Sequence, residues 1–376
     1  MSILFAIFLL LFPLLLIWGE RRVKVIQWIS PIIICYGVGV ILANLPFLEL
    51  NKEIATTLSE VTVPLAIPLL LFSTRILRWL KGAKKAILSF GICVVAVAIS
   101  AMVAVFIFED QFSDTWKMGG MVMGVYTGGT PNMSAVGLSL AVEEETFILL
   151  NAADLVWGAL YLLFLMTLAK PLLGRFLPKY QPINTDEKTN EEDTFRKLTP
   201  PQKVKNFSLF FGLALAILGV SIGLSILLNG SMEAITIILT VTTLGIALSF
   251  VKKVNELPGS YELGEYFLLV FCLALGSLAD VSELISSASQ TLYFMGVVIT
   301  GAILLHYLMA YFFKIDRDTV IITSVAALYG PAFVGPMAKV LNNKAIILTG
   351  MTTGLVGYAL GNYLGIGFAL LLKNWF

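Results

Sequence analysis

Short polar stretches divide the chain into twelve apolar segments, at about 2–18, 25–46, 57–74, 86–108, 118–141, 146–169, 207–228, 232–250, 263–280, 288–313, 318–341 and 345–372. A helix needs about 20 residues to cross a hydrocarbon core ~30 Å thick, so each run is long enough to span a bilayer or nearly so. Inside lipid every backbone N–H and C=O must be bonded internally, which leaves helices and closed barrels. The runs do not alternate in polarity as barrel strands do, and the expected fold is an all-α polytopic membrane protein. Composition agrees: 58% of the 376 residues are apolar and 13% charged, and mean hydropathy is +0.90, whereas soluble domains average about 45–50% apolar and about 25% charged. Residues 2–18 read as a first spanning helix and not a signal peptide, because no basic n-region precedes them and Glu20, Arg21, Arg22 and Lys24 follow.

A net charge of +1 offers no electrostatic case for a nucleic-acid partner. Cys35, Cys93 and Cys272 lie singly inside apolar runs and read as buried free thiols, and one histidine, His306, cannot build a multi-histidine metal centre. No HExxH or nucleotide-binding motif is present, and neither an enzyme nor direct ATP coupling is expected. The partners expected are the lipid bilayer and a small-molecule substrate.

The one long polar stretch, residues 170–206, holds Pro182, the run Thr185–Thr194 and Pro200-Pro201, and reads as a linker between two halves, residues 1–169 and 207–376, of six segments each. Pro131 and Pro331 stand 200 residues apart, and 24 residues after each comes a related hexamer, LVWGAL at 155–160 and LVGYAL at 355–360. Charge then decides how many segments cross. If all twelve span, the basic linker lies outside, against the excess of Lys and Arg in cytoplasmic loops. If segments 118–141 and 318–341 enter and return, 22 of the 25 Lys and Arg become cytoplasmic, leaving Lys52, Lys117 and Lys373 outside. Each half then has five spanning helices and one re-entrant or broken hairpin. The odd number of crossings makes the halves an inverted repeat, with both termini outside and linker 170–206 cytoplasmic. Both hairpins carry helix breakers, TGGTPN at 127–132 and YGPAFVGP at 329–336. Non-helical backbone at membrane depth persists only where protein or a water-filled cavity covers it, a layout typical of secondary transporters.

The segments GVYTGGTPNMSAVGLSL (124–140), NAADLVWG (151–158) and YGPAFVGPMA (329–338) resemble the DUF819 family of bacterial membrane proteins, over essentially the whole chain. More distantly the layout is similar to the glutamate:sodium symporters and 2-hydroxycarboxylate transporters, although the second hairpin here lacks a Gly-Gly pair. The resemblance implies an inner-membrane, cation-coupled carrier with a scaffold and a moving transport domain (an elevator mechanism), working as a homodimer. No cofactor is implied beyond Na+ as coupling ion.

Asp154 is the leading site residue, since a carboxylate well inside a spanning helix must be paired, protonated or bound to a cation. Asn151 lies one turn earlier on the same face. Thr127, Gly128, Gly129, Thr130, Pro131, Asn132 and Ser134 form the first tip, whose carbonyls, hydroxyls and amide could line a site; a Gly-Pro kink packed on its neighbours is the plainer account. Tyr329, Gly330, Pro331 and Gly335 form a less polar second tip. Thr349, Thr352 and Thr353 occupy positions near those equivalent to Asn151 and Asp154, yet could simply bond back to their own helix. Unwound carbonyls with Asp154, Asn151 and Asn132 suit Na+, and half-helix N-termini suit an anion. The expected function is sodium-coupled symport of a small polar or anionic organic solute by alternating access. The alternatives are a proton-coupled carrier, a cation/proton antiporter, an ion channel or an intramembrane enzyme.

Overall fold

The computed structural model describes residues 2–20, 31–45, 50–73, 84–180, 198–278 and 281–375. The expected charges at Arg21, Arg22, Lys24, Arg75, Arg78, Lys81 and Asp280, and the linker run Thr185–Thr194, lie outside those residues. Among the described residues each of the twelve apolar segments is represented by a helix or a broken pair of helices. In chain order they are α1 (Ser2–Glu20), α2 (Pro31–Ala43), α3 (Lys52–Leu71), α4 (Lys84–Ile107), the pair α5 (Thr115–Gly128) and α6 (Thr130–Ser139), α7 (Glu144–Leu173), α8 (Pro200–Asn229), α9 (Ala234–Ser249), α10 (Ser260–Gly276), α11 (Val281–Phe312), the pair α12 (Arg317–Tyr329) and α13 (Val334–Leu341), and α14 (Ile347–Lys373). No strand occurs among the described residues. Six of these helices are long and apolar enough to cross a membrane, and Leu160, Leu163, Leu227 and Phe312 point outward from them as lipid-facing side chains do. Cys35, Cys93 and Cys272 are buried and free.

Two segments fold back on themselves. α5 ends and α6 begins at Gly129, held at φ 81°, ψ −172°; between α12 and α13 the same role falls to Gly330, at φ 73°, ψ −173°. A positive φ costs a side chain about 1–2 kcal/mol, and glycine takes it freely. Pro131 and Pro331 then remove an N–H and a ladder bond one or two residues on. In the first hairpin a Cβ at Gly120 would touch Leu140, and one at Gly124 would touch Val136 and Asn132, so the two arms run antiparallel. In the second, Asn343 Nδ2 donates to Asp318 Oδ2 across the open end (3.0 Å). Both hairpins close alike: Ala141 and Asn342 adopt φ 49° and 52°, followed by Val142 N–H to Gly137 O and Asn343 N–H to Ala338 O, each 3.0 Å.

The hairpins open on opposite ends of the molecule. At one end Lys117 pairs with Asp114 (2.8 Å) and reaches Ala141 O (3.4 Å), Lys373 lies over the Trp116 ring (5.3 Å), and Lys52 is within electrostatic reach of Glu144. At the other, Lys170 Nζ donates to Leu341 O (2.7 Å) and Arg317 N–H to Pro178 O (3.1 Å). α7 therefore starts beside the mouth of the first hairpin and ends beside that of the second, and α14 runs the other way. α4 and α11 are also antiparallel, with Ser89 at His306, Ser100 at Gly301 and Phe108 at Phe294.

The helices form two bundles. α1, α2, α3, α8, α9 and α10, the first three segments of each half, pack together, and the last three of each half form the other bundle. They meet chiefly where α3, α9 and α10 face α6, α7 and α14. Within the second bundle α5 lies on α14 through small residues: Gly120, Gly124 and Gly128 face Gly365 and Gly357, which lets backbones approach as small-xxx-small stripes do in lipid.

Candidate functional site

The two breaks meet. A Cβ on Gly129 would lie 3.8 Å from Gly330 N and 3.6 Å from the Tyr358 ring, and one on Gly330 would lie 2.8 Å from Tyr358 Oη. The hairpins thus touch tip to tip inside the second bundle, with α7 and α14 on either side.

Asp154, half-buried on α7, faces Tyr126 of α5 and lies near Tyr329 of α12. The Tyr126 hydroxyl is buried and turned toward that carboxylate, with no partner at full hydrogen-bond distance. Tyr329 Oη donates to Gly158 O (2.7 Å), and its ring stacks on Tyr161 (6.3 Å). Tyr161 Oη in turn is 2.6 Å from both Ser324 Oγ and Tyr307 Oη. Beside them Ser89 Oγ bonds Thr323 Oγ1 (2.6 Å) and His306 Nε2 (3.1 Å). The position 200 residues after Asp154 is Gly354, which packs on the second tip, where a Cβ would meet Pro331 N at 2.9 Å.

On the first tip Thr127 is fully buried, its hydroxyl donating to Met123 O (2.7 Å), and Ser134 Oγ donates to Thr130 O (2.9 Å). Gly128 presses on Gly357, and Pro131 lines a small cleft described below. Asn132 has both amide hydrogens engaged, one with Tyr358 O and one with Asn362 Oδ1, each at 2.9 Å. Its Oδ1, turned toward Gly128, has no partner, and the residue is 2% exposed. Asn362 passes the thread on to Thr242 Oγ1 of α9 (2.8 Å), across the seam between bundles.

The remaining expected residues are dispersed or self-bonded. Asn151 is half-buried with its Nδ2 on Phe147 O (3.1 Å). Thr352 and Thr353 bond back to Leu348 O (2.8 Å) and Thr349 O (2.7 Å), the plainer of the two accounts open to them; Thr349 is half-buried and Gly335 falls within α13. Asn362 and Thr242 carry no motif, and Tyr126 and Tyr358 lie within the segments 124–140 and 355–360 without any sign there of the contacts they make. The one signal for Asn362 is an amide in the middle of an apolar run, a costly placement that marks either packing or function.

A cleft on the seam is lined by Ile67, Leu70 and Leu71 from α3 and by Pro131, Asn132, Tyr358 and Asn362 from the tip and α14. It joins one bundle's apolar helix to the other bundle's polar tip.

Fold and site together define an all-α polytopic membrane protein with two helical hairpins that meet at their tips. Over residues 7–375 the chain matches the family described as "Protein of unknown function (DUF819)", and it belongs to that family. It is similar to the "Uncharacterized membrane protein YjcL" of Bacillus subtilis (strain 168), at 25% identity over 372 residues, which cover 95% of this chain and 92% of that relative.

Proposed function

We propose that the chain is a secondary active transporter of the bacterial inner membrane, coupling Na+ to the movement of a small polar organic solute, with the bundle that carries the hairpins moving against the other. The observation that carries this reading is the meeting of two hairpins, open to opposite ends, tip to tip beside Asp154 and next to a seam between bundles. Broken elements of this kind place unwound carbonyls and half-helix ends near the membrane centre, where discontinuous helices of transporters hold ions and substrates. The two halves are read as inverted copies, supported by the matching tips and closures and by the opposed courses of α4 and α11 and of α7 and α14. Asp154 with the first tip forms the coupling site. The end bearing Lys170 and Arg317 is assigned to the cytoplasm by its excess of positive charge.

A proton-coupled carrier is a second reading, favoured by the hydroxyl cluster of Tyr161, Tyr307 and Ser324 beside Tyr329 and by its neighbour, Ser89–Thr323–His306. One experiment separates the two. A ligand that binds only the folded state raises its stability. The purified protein should melt at a higher temperature in sodium chloride than in potassium or choline chloride at equal ionic strength, and Asp154→Asn should lose that difference. A wild type indifferent to the cation would overturn sodium coupling.

A further inference from the structure

The two bundles are out of step along their helix axes. In the hairpin bundle the tips are central: α5, 14 residues long, and α12, 13 residues long, approach them from opposite ends, about 20 Å each at ~1.5 Å per residue. In the other bundle the same level falls at the ends of helices. Pro131, Asn132 and Tyr358 meet Ile67, Leu70 and Leu71 in the last turn of the 20-residue α3, and Tyr358 faces Tyr261 in the first turn of α10. A charged edge is close by, since Asn255, in one helical turn with Lys252 and Lys253, donates from Nδ2 to Phe72 O (3.0 Å). The start of α3, at Lys52, lies instead beside Glu144 at the mouth of the first hairpin. The second hairpin, with Lys170 and Arg317 at its mouth, therefore projects about 20 Å past the end of α3 and packs chiefly within its own bundle.

One stripe of α3 carries the mark of this offset. Glu53, Thr57, Glu60, Pro64, Ile67 and Leu71 follow one another at intervals of three and four residues and so share a face. The half of that face nearest the tip is buried; the other half, polar and with a carboxylate in the middle of a helix long enough to span, is exposed. A charge at that depth is costly in lipid and calls for water or a protein cover. Resting on the carrier reading, we infer that the structure is the state displaced toward the Lys170 and Arg317 end, the cytoplasmic one in that reading, and that in the opposite state the first tip slides about 10 Å, two turns of α3, to cover Glu60. The polar half of the stripe is continuous with the face on which the tip now rests, so the movement exchanges neighbours along one helix and leaves the moving bundle packed.

Two cysteine pairs in the full chain, in native membranes, test it. Thr243 Oγ1 and Tyr363 Oη are 2.7 Å apart. α9 lies beside α3, Gly245 against Pro68, and both finish near the Asn255–Phe72 bond, so Thr236 stands two turns from Thr243 on the same face, toward the Lys52 end. Thr243→Cys with Tyr363→Cys should be joined by a short bifunctional thiol reagent in the arrangement described, and Thr236→Cys with Tyr363→Cys only after the slide, each link being read by mass spectrometry. Glu60→Cys, added to either pair, should react with a hydrophilic maleimide several-fold faster when 243 and 363 are joined than when 236 and 363 are. The inference falls if 236 and 363 never join although 243 and 363 do, or if Glu60→Cys reacts equally in both joined forms. A sodium-specific rise in melting temperature that persists in that case leaves the carrier reading standing and removes only the slide. The 236–363 link in a protein without any sodium effect would do the reverse.

Discussion

At the residue scale, much depends on atoms that are missing. Gly357 has no Cβ because Thr127 O occupies that place, and Gly128 faces Asn132 Oδ1 and Gly357 O in the same way. Gly357→Ala must therefore push α5 away from α14, and overpacking of this kind costs about 1–3 kcal/mol. Gly219→Ala, in the exposed middle of α8 with nothing within 4 Å, should be neutral or stabilising by about 0.5–1 kcal/mol, as expected for glycine removed from a helix interior. Thermal melts of the two variants side by side check both signs. Asp316 caps α12 by accepting from Thr319 N–H (2.9 Å) and Thr319 Oγ1 (2.8 Å). Asp316→Ala should cost about 1–2 kcal/mol, the upper part of the range for losing an N-cap; a melt unchanged from wild type would show that the cap does not hold the second hairpin. Asp154 and the Gly-Gly-Thr-Pro-Asn tip are legible in the sequence because a carboxylate and breakers at membrane depth are costly wherever they occur. Tyr126 and Asn362 are not, because the carboxylate that Tyr126 faces is on another helix and the partner of Asn362 on the tip is 230 residues away.

At the scale of elements, the charge count predicts that segments 118–141 and 318–341 return to the side they entered, and the antiparallel arms agree. The reason is local: a left-handed glycine followed by proline breaks the ladder and reverses the chain, and the breakers sit at the middle of each segment. Cysteine replacing Glu144 should react with an impermeant thiol reagent added outside cells, whereas cysteine replacing Lys179, which follows the Pro178 carbonyl bound to Arg317, should not. Labelling at 179 alone would reverse the proposed orientation. The hairpins differ in one respect. The first break lies two residues before its proline and the second one residue before, which leaves the first tip an extra polar residue, Thr130.

At the scale of the molecule, the seam between bundles is where movement would occur. Among the described residues the polar links that cross it include Asn362–Thr242 (2.8 Å) and the Thr243–Tyr363 hydroxyl pair (2.7 Å). Cysteines at 243 and 363 joined by a short bifunctional reagent should stop sodium-dependent exchange in proteoliposomes while sparing sodium-dependent stabilisation in detergent. Exchange that survives the crosslink would mean that the bundles do not move apart here. The sequence by itself determined the class, the twelve apolar segments and the breakers, because bilayer thickness and backbone satisfaction act on short stretches of chain. Only the tertiary structure decided that segments one to three of each half gather into one bundle and four to six into the other, that the tips touch, and that Asn132 keeps an acceptor free beside Gly128. Those outcomes depend on glycine stripes and hydrogen bonds between residues hundreds of positions apart, and no local pattern encodes which partner such a group will find.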